Sequence, residues 1–229
     1  MTTDRNGRAQ AADRTTIMLR PIASPQPLGF LAFAVGMVLT AMLSLGVVPS
    51  ADGHQVAVLL LTFTGPLQLL AAVFAFLARD VGAGTAFAVF GGTWVSTGTT
   101  QLMAPEGSSS PVTAVFFAAL ALVALLLAVG ARPGKPALTV LLVLSAVRLV
   151  VLAVYEATGS SALDRAAGVV GSVIAMASLY GALALLLEDG EGRLVLPTGR
   201  RGRARESFEG DVEAQLAGLE SEAGVRNQL

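Results

Sequence analysis

Apolar residues in this chain fall into six long runs, at 28–48, 56–78, 85–103, 112–130, 137–154 and 166–187, and only the fifth holds a charged side chain. Hydrocarbon about 30 Å thick is crossed by roughly 20 apolar residues of helix, so each run has the length of a span. Strict alternation of apolar and polar residues is absent, and no water inside a bilayer can satisfy free backbone groups, which leaves helices as the spanning structure. The expected fold class is all-α: a polytopic membrane protein with six transmembrane helices.

The connections fix an orientation. Arg5, Arg8, Arg14 and Arg20 precede the first run, Arg79 follows the second, Arg132 and Lys135 follow the fourth, and Arg193, Arg200, Arg201, Arg203, Arg205 and Arg226 follow the sixth. The other three loops carry Arg165 alone. Basic residues are retained on the cytoplasmic side, so both termini are expected to be cytoplasmic, as an even number of spans requires.

Residues 1–23 read as a disordered cytoplasmic tail, 24–199 as the membrane domain and 200–229 as a polar cytoplasmic tail. The early residues lack an apolar stretch followed by a small-residue cleavage site, so the first span is expected to act as its own insertion signal. In the last tail, Phe208, Val212, Leu216 and Leu219 recur at helical spacing. An amphipathic helix against the membrane or a frayed segment both fit. The arginines at 200–205 read as a topology and lipid anchor.

Composition narrows the chemistry. A net charge of -1 gives no nucleic-acid signal, and the absence of cysteine excludes thiol catalysis and Cys-based metal sites. The spans contain no Asp, Glu or His, and no glycine-rich loop has phosphate-binding spacing. The sole His54 reads as a solvated loop residue. Neither an enzyme, a cofactor, a metal site nor an ATP-driven pump is expected, which leaves a conduit or a structural or sensory module.

Several polar features stand out against this apolar background. Arg148 lies well inside the fifth run, where a charge costs roughly 2.5–3.5 kcal/mol on insertion scales. It would attract a carboxylate into a wet path, or snorkel about 9 Å to the external headgroups or Glu156. Thr93, Ser96, Thr97 and Thr100 share one helical face with Gln101 close by, fit either for lining a polar path or for hydrogen bonds between helices or back to their own carbonyls. Phe90 and Trp94 read as packing anchors unless they adjoin that path. Gly168, Gly171, Ala175 and Ser178 keep one side of the sixth run small, as close crossing requires. Gly65-Pro66 interrupts the second run, and a proline there bends a helix.

Two motifs bracket the membrane unit. Ser24-Pro25-Gln26-Pro27-Leu28-Gly29-Phe30 resembles the Asn-Pro-Ala-Pro-Leu-Gly-Leu signature of the acetate uptake transporter family, the bacterial succinate-acetate permeases and their yeast relatives. Gly192-Arg193-Leu194-Val195-Leu196-Pro197-Thr198-Gly199 is similar to the Gly-Arg-x-x-Leu-Pro-x-Gly that follows that family's sixth span. Gln68 and Gly91-Gly92-Thr93-Trp94 fall where the family has a Gln and a small-residue run ending in Trp. Independently of the family, Pro25, Pro27 and Gly29 suit the first turn of a helix, whose free N–H groups could also pause a carboxylate.

The resemblance implies a homohexamer whose protomers each enclose a path narrowed by three side chains. Here those positions are Phe33, Phe90 and Ser145, against the family's Phe, Tyr and Leu. Ser145 should widen or wet the constriction unless Leu144 or Leu149 fills the gap. Ser178 matches a position that influences substrate size. Other positions depart: Ala41-Met42-Leu43-Ser44 replaces a polar Asn-Leu-His-Asn run, Ala75 a Glu, and Asp80-Val81-Gly82-Ala83 an Asn-Thr-Phe-Gly.

The expectation is therefore a conduit for acetate or a similar small carboxylate, succinate among the candidates, in the cytoplasmic membrane of a bacterium. Pro25, Pro27, Leu28, Gly29, Gln68, Thr93, Thr97, Arg148 and Ser178 are the expected path residues around the constriction. Lacking a buried carboxylate or His for a relay, the proton would travel on the acid itself, because an unpaired anion desolvates at high cost. The alternatives are a scaffold or sensor whose path has closed, and a conduit for another small solute such as ammonia or lactate.

Overall fold

The computed structural model describes residues 23–105, 108–132 and 135–199. The two tails, with the arginine cluster at 200–205 and the spacing at 208–219, lie outside the described residues.

Six helical rods stand where the six runs predict them. They are α1 (Gln26–Ser44), α2 (Ser50–Leu77), α3 (Val81–Met103), α4 (Pro111–Ala131), α5 (Pro136–Thr158) and α6 (Ser161–Glu191). Five are long and apolar enough to cross a membrane, and α3 is the exception. Its glycines, threonines and Gln101 lower its hydropathy, yet it is packed along its length with Phe87, Phe90, Thr93 and Trp94 all buried.

Local chemistry sets the helix ends. Proline occupies the first turn of α1, α4 and α5, where an N–H would be unsatisfied in any case. Asp80 caps α3 by accepting the Ala83 N–H at 3.1 Å. Gly159 and Gly192 end α5 and α6 at φ of 68° and 63°, a conformation that a Cβ disfavours. Inside α2, Leu60–Thr64 forms a π turn directly before Gly65-Pro66. Pro66 has no N–H to give, and its ring crowds the carbonyl four residues back, so the helix widens by one residue there.

The rods form a ring in chain order. α1 packs chiefly on α6, α2 on α3, α4 on α5 and α5 on α6, while α1 also meets α2 and α3 touches α4 lightly. The predicted small face of α6 is used: Gly168, Gly171, Ala175 and Ser178 are all buried. A Cβ on Gly168 would lie 3.1 Å from the Ala41 carbonyl of α1 and 2.8 Å from Leu45. Outward, Val115, Leu126, Val140, Val169 and Met176 are among many exposed large apolar residues. Such a continuous greasy exterior suits lipid and not water.

Residues near 26, 80, 135 and 199 meet at one end of the bundle. Asp80 Oδ2 accepts from Gln26 Nε2 at 2.7 Å and from Lys135 Nζ at 2.5 Å, so one carboxylate joins the starts of α1, α3 and α5. Burial works against the charge on Asp80, but Lys135, the Ala83 N–H and Gln26 together hold its pKa below the ordinary carboxylate value. The closing motif folds back to the same end, where Tyr180 Oη donates to the Pro197 carbonyl at 3.0 Å. Among the described residues, the loops that carry Arg79, Lys135 and Arg193 therefore lie at one end of the bundle.

Candidate functional site

At the opposite end the ring encloses a cavity of about 460 Å³. Its mouth is built from the connections after α1, α3 and α5, with Ser50, His54, Pro105, Ser108 and Asp164 on the wall. Inward it narrows onto Met37, Phe90, Trp94, Phe117, Ser145 and Leu149. Beneath Phe90 lies Phe33, edge to face with centroids 5.1 Å apart, and the Phe33 ring also leans on Trp94 at 5.8 Å. Phe33 and Phe90 are each 6 % exposed. The vestibule thus ends on an aromatic plug in mid-bundle.

The plug is held from behind. Trp94 Nε1 donates to Gln68 Oε1 at 2.7 Å, and both residues are buried. Without that bond an indole donor and an amide acceptor would each be left dry and unmade, which is costly. The π turn of α2 takes no part in the cavity wall, to which that rod contributes Ser50, Gly53 and His54 only. The break at Pro66 thus serves the packing of α2 on α3.

The hydroxyl stripe of α3 lies on this cavity: Thr93, Thr97 and Thr100 line it with Gln101, while Ser96 does not. Thr93 Oγ1 donates to its own helix at Val89 O (2.9 Å), and Thr100 Oγ1 to Ser96 O (3.0 Å). The stripe thus faces a cavity while Thr93 and Thr100 bond back to their own helix. With their protons committed to the backbone, these two hydroxyls turn acceptor lone pairs to the cavity.

Arg148 resolves differently from simple snorkelling. Its Nε donates to the Ala167 carbonyl of α6 at 3.2 Å and its Nη2 to Thr40 Oγ1 of α1 at 3.1 Å. The residue is 5 % exposed and lines the cavity. It does not reach Glu156, whose Oε2 instead accepts the Ser110 N–H at 2.7 Å and ties the loop before α4 to α5.

Phe33, Phe90, Ser145, Thr93, Thr97 and Arg148 are thus gathered at the vestibule or its plug. The remaining path candidates are elsewhere. Pro25, Pro27, Leu28 and Gly29 sit at the basic end, where the Phe87 ring fills the space a Gly29 Cβ would need, at 2.3 Å. Ser178 is buried, with its hydroxyl donating to Ile174 O at 2.8 Å. Gln68 stands behind Trp94. Sequence reading did not single out Phe117, Met37, Thr40 or Asp164. Phe117 lies in α4, the most apolar span, where no pattern distinguishes one inward residue from its neighbours. Asp164 reads as a loop residue because it precedes the last apolar run, but α6 begins at Ser161 and carries it onto the cavity wall.

A sequence model described as the GPR1/FUN34/yaaH family matches residues 7–200. The chain belongs to that family. This agrees with the resemblance to acetate uptake transporters carried by the two bracketing motifs. Among solved structures, one described as that of the bacterial acetate channel SatP is similar, with a TM-score of 0.71 and 24 % identity. The match covers 78 % of this chain and 99 % of SatP, so the two share the whole six-helix fold. Comparison with curated proteins gave no match. Within this GPR1/FUN34/yaaH chain, the described residues contain no group of three or more His, Cys, Asp or Glu side chains placed to hold a metal ion.

Proposed function

We propose that the protein is a conduit for acetate and similar small monocarboxylates across the cytoplasmic membrane of a bacterium. The observation that carries this reading is the vestibule of about 460 Å³ that ends on the Phe33–Phe90 plug. A two-carbon acid fits that space with room to spare, and the aromatic contact beyond it must part before the acid passes. The family, and a fold shared with a protein described as an acetate channel, support the same substrate class. Ser145 withdraws bulk from the constriction, while Leu149 one turn on in α5 and Phe117 from α4 keep it apolar. Passage between rings favours the neutral acid, since an unpaired anion loses its hydration with nothing in return. Uptake is then proton-linked through the substrate. Assembly as a homohexamer is the part of this reading drawn from family resemblance.

The test is uptake of radiolabelled acetate and succinate into liposomes holding the purified protein. Acetate flux above that of empty vesicles is expected, and Phe33→Ala should raise the initial rate several-fold by opening one side of the plug. Absence of flux for every short acid, in the wild type and in Phe33→Ala alike, would overturn the proposal in favour of a scaffold or sensor with a closed path.

A further inference from the structure

Arg148 is a cation whose side chain is buried in the bundle, yet no carboxylate among the described residues pairs with it; the ion pairs described are Lys135–Asp80 and Arg193–Glu191. A buried charge without a counter-ion is unfavourable, and neutral oxygens compensate it only in part. Its two protein partners are both neutral, the Ala167 carbonyl and the Thr40 hydroxyl. They use two of the five N–H donors of the guanidinium. The residue lines the vestibule one turn from Ser145, on the same face of α5. Asp164 lies on α6 one turn before Ala167, near enough for its charge to be felt by the guanidinium but not bonded to it.

The orientation of this group is built rather than incidental. Thr40 Oγ1 gives its own proton to Gly36 O at 2.9 Å, so the oxygen is free to accept from Arg148. Gly171 clears the space for the side chain, because a Cβ there would meet Arg148 Nε at 2.8 Å. α1, α5 and α6 together hold the guanidinium at the vestibule wall. Around it, Thr93 and Thr100 have committed their protons to backbone, and Arg148 is the one Lys or Arg among the described residues that line the cavity.

We propose that Arg148 is a loading site for the substrate as its carboxylate anion, with Thr40 as the residue that positions the guanidinium. The proposal rests on the conduit reading above and gives it a first step. The anion supplies the bonded carboxylate that no described residue gives Arg148, and the forked guanidinium meets its two oxygens. Loading precedes passage: the anion is concentrated beside Ser145, leaves Arg148 as it takes a proton from hydronium in the vestibule solution, with water left behind, and reaches Phe90 and Phe33 as the neutral acid. A neutral isostere such as acetamide has no claim on the site.

The experiment measures binding, not flux, so that its failure can be told from failure of the conduit reading. Purified full-length protein in mild detergent is dialysed to equilibrium with radiolabelled acetate at neutral pH, where acetate is anionic. Saturable binding is expected in the wild type, displaced by formate and propionate and not by acetamide. Arg148→Gln should weaken it by at least about tenfold, the scale of one lost charge-assisted bond. Thr40→Val, which keeps the shape and the charge but frees the guanidinium, should weaken it by roughly threefold to tenfold. Acetamide competing as well as propionate, equal binding by Arg148→Gln, or no saturable binding in the wild type would each overturn the proposal. Should Arg148→Gln not insert or fold, the acetamide competition and Thr40→Val still decide the matter.

Discussion

The bond between Trp94 and Gln68 supports the wall of the vestibule, and its contribution can be isolated. Trp94→Phe keeps an aromatic ring against Phe33 but removes the donor, leaving Gln68 Oε1 at 1 % exposure with no donor from the indole. An orphaned buried acceptor costs about 1–3 kcal/mol. At roughly 2–4 °C per kcal/mol for a chain of this size, the apparent melting temperature should fall by about 5 °C. Gln68→Leu strands the Trp94 N–H instead and should cause a fall of similar size. The double variant removes both partners at nearly conserved shape, a change that is close to neutral apart from the smaller ring. It should therefore melt above Trp94→Phe alone, with a coupling of about 1–2 kcal/mol between the sites. The assay is thermal unfolding of the four proteins in one detergent, followed by a fluorescence-independent probe such as circular dichroism. If the double variant falls by the sum of the two single effects, the bond contributes nothing and the account of how the plug is held is wrong.

Two further outcomes follow from other parts of the molecule. Asp80 has a folded pKa below its unfolded value, so its contribution is present above the ordinary carboxylate range and is lost as pH falls through the depressed value. Asp80→Asn should cost roughly 1 kcal/mol at neutral pH and flatten the acid limb of melting temperature against pH; an unchanged acid limb would show that the link to Lys135 and Gln26 is not formed in solution. On α6, Gly171→Ala places a Cβ 2.8 Å from Arg148 Nε and 3.2 Å from Ala41 Cβ, whereas Gly181→Ala meets nothing within 4 Å. Acetate binding should drop several-fold in the first and stay at the wild-type level in the second, and equal binding by both would disconnect Gly171 from the loading site.

Much of the bundle was legible before its structure because lipid imposes local requirements. Each span must satisfy its own backbone bonds and carry its own apolar surface, so hydropathy marks all six rods to within a few residues at most ends. The largest differences are at the starts of α2, at Ser50 rather than near 56, and of α6, at Ser161 rather than near 166; in α6 the helix continues into the interface, where Asp164 and Arg165 are tolerated. The small face of α6 and the break at Pro66 were also readable, since both follow from excluded volume and from a missing N–H within a single helix. Depth was readable in the same way, and it set Arg148 inside the membrane layer.

What a span faces is another matter. Azimuth depends on neighbours remote in sequence: Thr40 and Arg148 are 108 positions apart, and Gln26 meets an Asp80 that is 54 residues away. Hydropathy along α4 is nearly uniform, so nothing local distinguishes Phe117, which reaches the cavity, from Phe116 beside it. The opening Pro-x-Pro-Leu-Gly motif illustrates the same division. Its prolines start a helix by local geometry, while the service of Gly29 to the Phe87 ring appears only when α1 and α3 are brought together. The sequence by itself therefore determined that six helices cross a bilayer and where along each one its polar groups lie. Only the tertiary structure decided which of those groups share a cavity, because that choice is made by packing contacts between helices and not by the cost of transferring any single helix into lipid.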